Sequence, residues 1–286
     1  MSAEILKGAA VAAALNEGSK AFCLSLREKG ICPCLAIVRV GERGDDIAYE
    51  RGILKRCSAL DVEAKQIILP ENIAQDELVD LINGLNKDDG VHGILVFMPL
   101  PSHIDEAVVR ESISPEKDID GVTSGSAAFV YSGKGSGFAP CTAQAVIEIL
   151  KYYNIKIASR RVAVFGRSMV IGKPVSMLLM GENATVTVCH SKTAEGAEIA
   201  KHADIIIAAL GKAKALREDY FREGQCVIDV GINFDEDGKM CGDVDFVAAE
   251  ALASYVTPVP GGVGAVTTAV LLRHTLESAE KMVTKK

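Results

Sequence analysis

Two periodicities alternate along this chain. Between residues 3 and 29, Val11, Leu15, Phe22 and Leu26 fall on one side of a 3.6-residue repeat, which predicts a helix. Apolar runs at 35–40, 64–69 and 93–98 are short and predict strands, with helical patterns at 45–60 and 77–85 between them. Strand, helix, strand, helix, strand implies a parallel sheet covered by helices. A second series starts at Arg161, with strands predicted at 162–165, 184–188, 205–210 and 227–230, helices between them, and a closing helix at 265–282. Thr142 is placed to cap a helix running to about residue 152. The Ser- and Gly-rich stretch 124–137 reads as a mobile loop. The pattern therefore predicts two α/β domains with parallel sheets and a ligand cleft between them.

Composition narrows the function. At 286 residues the chain can hold one large or two ordinary domains. With 49% hydrophobic and 24% charged residues it reads as globular throughout. A net charge of −7 argues against nucleic acid or an anionic membrane as partner, so any anionic ligand must be held by local donors. No apolar run approaches the ~18 residues that span a bilayer. The opening Met1-Ser2-Ala3-Glu4-Ile5-Leu6-Lys7 lacks the basic start and apolar core of a signal peptide, so a cytoplasmic location is expected. The eight cysteines read as reduced thiols. Cys32-Pro33-Cys34 lacks zinc spacing and the five histidines are scattered, so no metal site is expected.

The chemistry concentrates in Gly166-Arg167-Ser168-Met169-Val170-Ile171-Gly172-Lys173-Pro174, between the predicted strand 162–165 and a helical run. A glycine turn between strand and helix offers free N–H groups and a helix N-terminus to a phosphate. The spacing is not Gly-x-Gly-x-x-Gly, so on its own the loop is either a phosphate site or an ordinary strand-to-helix turn. The next predicted strand ends in Cys189-His190-Ser191-Lys192-Thr193. There, roughly 20 residues beyond the glycines, NAD-binding folds carry an acid for the ribose 2′-hydroxyl. A hydroxyl and a cation in that place, with Arg167, suit the 2′-phosphate of NADP; the alternative is a solvated polar turn.

Taken together, the motifs resemble the methylenetetrahydrofolate dehydrogenase/cyclohydrolase family. The matching segments are Gly93-Ile94-Leu95-Val96 with Pro99-Leu100-Pro101, Pro115-Glu116-Lys117-Asp118-Ile119-Asp120-Gly121, Pro140-Cys141-Thr142, and the Gly166-Arg167-Ser168 and Gly172-Lys173-Pro174 turn. They continue through His190-Ser191-Lys192-Thr193, Val227-Ile228-Asp229-Val230-Gly231-Ile232-Asn233, Gly242-Asp243-Val244-Asp245 and Pro258-Val259-Pro260-Gly261-Gly262-Val263-Gly264. The resemblance implies a folate-binding catalytic domain, 1–140 plus 268–286, a Rossmann-like NADP-binding domain, 141–267, and a homodimer joined through the cofactor domains. It makes Tyr49 and Asp120 the catalytic and substrate-binding residues, with Gly261 and Gly262 also on the substrate. It makes Gly166, Arg167, Ser168, Ser191 and Ile232 the cofactor contacts.

The chain departs from the family pattern where water is handled. The usual Ser-x-x-Tyr-x-x-x-Lys reads here as Asp46, Tyr49 and Ile53, and the usual glutamine partner of the lysine is Phe97. Tyr49 and Ile53, four apart, share a helix face, whereas Lys55 points elsewhere. The segment 121–126 also lacks the family's usual motif. Hydride transfer from the methylene bridge to NADP needs alignment of two carbons and no general base. Hydrolysis of the methenyl product needs acid–base chemistry, whose loss typically costs ~10²–10⁴-fold. The expectation is a dehydrogenase whose cyclohydrolase activity is very weak or absent. The alternatives are a bifunctional enzyme, in which Asp46 takes over part of the hydrolysis, and a non-catalytic paralogue that binds folate or NADP.

Overall fold

The computed structural model describes residues 2–284. The chain divides into two compact units, Ala14–Ala139 with Thr268–Lys286, and Met1–Ala13 with Pro140–Thr267. The opening residues thus group with the second unit, because the first strand, β1 (Glu4–Ile5), runs parallel to Tyr255–Val256. The helix expected from residue 3 begins only at Gly8: α1 spans Gly8–Glu28. A two-residue strand carries no periodicity of its own, so only its partner reveals it.

The first unit is built on β2 (Cys34–Val40), α2 (Gly44–Leu60), β3 (Glu63–Leu69), α3 (Gln75–Lys87) and β4 (Gly93–Val96). Its sheet has the order β3-β2-β4, all parallel. Every residue of β2 is buried, as a central parallel strand covered on both faces requires. Ala36, Val38 and Val40 point to one face and pack with Leu78 and Ile82 of α3. Leu35, Ile37 and Arg39 therefore point to the other, beneath α2.

After a short α4 (Glu106–Glu111), the stretch expected to be a mobile loop is largely helical: α5 spans Ser124–Ser132. Thr123 Oγ1 caps it by accepting from Ser126 N–H at 3.1 Å, and Gly133 ends it at φ 66°. The helix start is capped by the threonine that precedes the serines.

The second unit follows with α6 (Cys141–Tyr152), β5 (Arg161–Phe165), α7 (Gly172–Gly181), β6 (Thr185–Cys189), α8 (Gly196–His202), β7 (Ile205–Ala208) and β8 (Cys226–Asp229). A hairpin of β9 (Asn233–Phe234) and β10 (Met240–Cys241), then α9 (Phe246–Leu252), β11 (Tyr255–Val256) and α10 (Gly264–Thr284) complete the chain. Thr142 does not cap α6; Pro140 holds that position and Thr142 lies inside the first turn. The sheet order β1-β11-β8-β7-β5-β6 is parallel throughout. Ala163, Phe165, Ile206, Ala208, Val227 and Val256 lie in its core cluster. This is a Rossmann-like sheet, and its ligand edge is the C-terminal one.

Candidate active site

In the first unit the site is organised by one side of α2. At about 100° per residue, Asp46, Tyr49, Glu50, Ile53 and Cys57 lie along the same broad stripe. Ile53 is 0% exposed, at the centre of the buried side. Tyr49, at its edge, is 43% exposed, with its ring centroid 5.6 Å from that of Phe97. Phe97 itself is buried and continues the ladder, donating its N–H to Val38 O at 3.0 Å. Asp46 lies 3.7 Å from Arg43. Lys55 is exposed and offers nothing to this stripe. The two positions that carry lysine and glutamine in the family pattern are thus closed and apolar.

Two residues here were not singled out from the sequence. Arg39 Nε pairs with Glu50 Oε2 at 3.1 Å, and both side chains are nearly inaccessible, 6% and 5% exposed. Arg39 Nη1 also donates to Gly41 O, while Glu50 Oε1 is buried and accepts no hydrogen bond among the described residues. The ladder places Arg39 beside Phe97, and the helix places Glu50 beside Tyr49. An arginine inside an otherwise apolar strand was the available signal, since burying a lone charge is costly and demands a partner.

Asp120 is half-buried at the end of a motif whose other polar members have structural work. Lys117 Nζ donates to Leu85 O at 2.9 Å and Asp88 O at 2.7 Å, and burial pushes its pKa down. Asp118 accepts from Val122 N at 3.0 Å and Thr123 N at 2.8 Å. Behind the motif, His274 Nδ1 is 2.9 Å from Ile119 O. Burial lowers the His274 pKa, so the ring is neutral near pH 7 and donates this bond.

In the second unit, β6, β5, β7 and β8 are adjacent and parallel, so residues following them share one edge. Gly166, Arg167 and Ser168 follow β5, Ser191 follows β6 and Ile232 follows β8. Gly166 has φ 139°, and an added Cβ would run into Ala209 O; at Gly172 it would run into Gly166 O. The turn is therefore compressed in a way that only glycine permits. Ser168 Oγ accepts from Ile171 N at 3.1 Å, which fixes the turn ahead of α7. Arg167, Ser168 and Ser191 are exposed. A cation, two hydroxyls and a glycine turn at a helix start fit a phosphorylated nucleotide.

His190 is used locally: its Nδ1 accepts from Lys192 N at 3.1 Å. Gly261 (φ 100°) and Gly262 belong to this second unit, and Gly261 O accepts from Gly8 N at 2.8 Å. Tyr49 and Asp120 belong to the first. Among the described residues, no group of three or more His, Cys, Asp or Glu side chains is arranged to hold a metal ion.

Comparison with known proteins identifies two family models along the chain. Residues 6–120 match the family model "Tetrahydrofolate dehydrogenase/cyclohydrolase, catalytic domain", and residues 140–283 match its "NAD(P)-binding domain". The chain is 47% identical to the bifunctional protein FolD of Alkaliphilus oremlandii over 274 residues, covering 96% of each. It is 42% identical to the crystal structure of the bifunctional FolD methylenetetrahydrofolate dehydrogenase/cyclohydrolase of Campylobacter jejuni, with TM-score 0.93, covering 97% of this chain and 99% of that one. The Trypanosoma brucei FolD, solved with NADP and an inhibitor, is 36% identical with TM-score 0.90, covering 99% of each chain. With both domain models matched in order and a relative at 47% identity along nearly the whole length, the chain belongs to the tetrahydrofolate dehydrogenase/cyclohydrolase family.

Proposed function

We propose that this protein oxidises 5,10-methylenetetrahydrofolate to the 5,10-methenyl form with NADP, and also hydrolyses that product to 10-formyltetrahydrofolate. The observation that carries the reading is the match to both family models along one chain, with relatives named bifunctional. NADP, when bound, supplies the hydride acceptor. Arg167 and Ser191 would hold its 2′-phosphate, and Gly166, Ser168 and Ile232 would shape the rest of its seat. Tyr49 and Asp120 are the proposed folate contacts of the first unit. An Asp carboxylate suits a pterin because it accepts from ring N–H and amino groups. The same reading includes a homodimer joined through the second unit and action in the cytoplasm. Among the described residues, no helix is long and apolar enough to cross a membrane.

A second reading, a dehydrogenase with very weak or absent hydrolysis, is favoured by one local observation. Ile53 and Phe97 are buried and apolar, and neither can move a proton. In this chain Asp46, whose side chain is 12% exposed, is then the carboxylate on the α2 stripe proposed to order a water. Two absorbance assays separate the readings. NADPH formation from methylenetetrahydrofolate is expected in either case. Enzyme-stimulated decay of methenyltetrahydrofolate supports the bifunctional reading, and its absence supports the second. Absence of both signals sinks the enzymatic function altogether.

A further inference from the structure

Asp229 and Asp243 are not among the cofactor or folate contacts, yet they stand where three loops of the cofactor edge meet. Asp229 is 3% exposed and Asp243 is 0% exposed. Asp229 ends β8, and its carboxylate accepts from Gly231 N and Asp243 N at 3.0 Å each and from Val244 N at 2.9 Å. Asp243 lies just past β10 and turns the other way. It accepts from Gly211 N at 3.0 Å, Lys212 N at 2.8 Å and Asn233 Nδ2 at 2.9 Å, and also from Leu210 N. The side chains fit only because Gly231 and Gly242 lack a Cβ: one at Gly231 would strike the Asp243 carboxylate, and one at Gly242 the Asp229 carboxylate.

The consequence falls on Ile232. Its flanks are both pinned, Gly231 by Asp229 and Asn233 by Asp243, while its own side chain stands 64% exposed at the sheet's C-terminal edge. The second pinned loop, residues 210–212, continues directly from Ala209. Ala209 N donates to Phe165 O at 2.7 Å, and its carbonyl is the group against which Gly166 is packed. Both sides of the cofactor edge are thus tied to one pair of carboxylates. An apolar side chain held out to solvent on a turn fixed at both ends is a preformed surface for a ligand, and preformed surfaces bind more tightly because less is ordered on binding.

We propose that Asp229 and Asp243 are positioning residues for the nicotinamide nucleotide, holding Ile232 and the 209–212 loop in the shape that the cofactor meets. This rests on the reading that Ile232 and the Gly166 turn receive NADP. Asp243→Asn turns an acceptor into a donor against backbone N–H groups, and Asn233→Ala removes one tie while leaving both carboxylates in place.

The test is NADPH titration by fluorescence, with steady-state kinetics, on the full chain. Both variants are expected to weaken NADPH binding and raise the KM for NADP by about tenfold, the scale of one lost buried hydrogen bond. The kcat at saturating NADP and the KM for the folate should stay within about twofold. Asp235→Asn, in the same hairpin but outside this network, should match wild type. Wild-type NADP KM with a lowered kcat, or simply less active protein, would mean a purely structural role and overturn the inference. If Asp243→Asn does not fold, Asn233→Ala decides alone. Wild-type protein that fails to bind NADPH overturns the cofactor reading and this inference together, whereas wild-type binding matched by Asn233→Ala overturns the inference only.

Discussion

Ile53 occupies a closed position, so restoring a lysine there is a matter of solvation as much as chemistry. An ammonium in an apolar site without a partner is strongly disfavoured and would lose its proton or distort the helix. Ile53→Lys alone is expected to lower the melting temperature and to recover little hydrolysis. Adding Phe97→Gln should recover stability and raise methenyltetrahydrofolate decay, on the order of 10²-fold where the starting activity is very weak. Full recovery from Ile53→Lys alone would contradict the need for both partners. Asp229 makes a second prediction at this scale. Burial, helped by the nearby Asp243 charge, raises its pKa from 3.8 to about 6 against the opposing effect of three backbone N–H groups. The folded protein therefore holds this proton more tightly than the unfolded chain does. The stabilising contribution is full below about pH 4 and is lost as pH rises through about 6. Urea midpoints across pH 4–7, compared with those of Asp229→Asn, should show this slope in wild type only.

Among the elements, α2 is the one whose sequence and setting disagree most. Its buried side carries Glu50, and the strand beneath it carries Arg39. Breaking a buried pair by removing one partner typically costs about 3–5 kcal/mol, whereas replacing both by apolar residues is often neutral or stabilising. Arg39→Leu and Glu50→Val should each destabilise on that scale. The double variant should lie close to wild type, giving a large coupling in a double-mutant cycle by urea denaturation. Independent, additive losses would mean that the two charges do not depend on each other. The turn before α7 shows the opposite case, where local sequence was sufficient: the glycines sit at the positions where a Cβ would strike backbone.

For the molecule as a whole, α10 divides its residues between the two units. From Thr268 onward it belongs to the first, where His274 meets Ile119 O, Ser278 Oγ donates to Glu116 O at 2.8 Å, and Lys281 Nζ lies 4.4 Å from the Phe138 ring centroid. A chain ending at Thr267 should lose dehydrogenase activity, because the Asp120 motif loses its support, yet keep NADPH fluorescence enhancement. Loss of both would show that the second unit depends on those residues too.

Periodicity, glycine placement and motif order are local properties, and the sequence by itself determined the features that rest on them. It set two α/β series with parallel sheets, a compressed glycine turn after β5, exposed hydroxyl and cationic side chains beyond β5 and β6, and membership of a folate-enzyme family. Tertiary structure decided the features whose cause lies far along the chain. The pair Glu4–Ile5 is a strand only because Tyr255–Val256 lies beside it. Arg39 is tolerable in an apolar strand only because Glu50 reaches it from a helix. Asp229 and Asp243, 14 residues apart, acquire a role only when they converge on loops that neither local pattern predicts. Burial and charge pairing depend on what surrounds a side chain in space, and that is fixed only when the chain has folded.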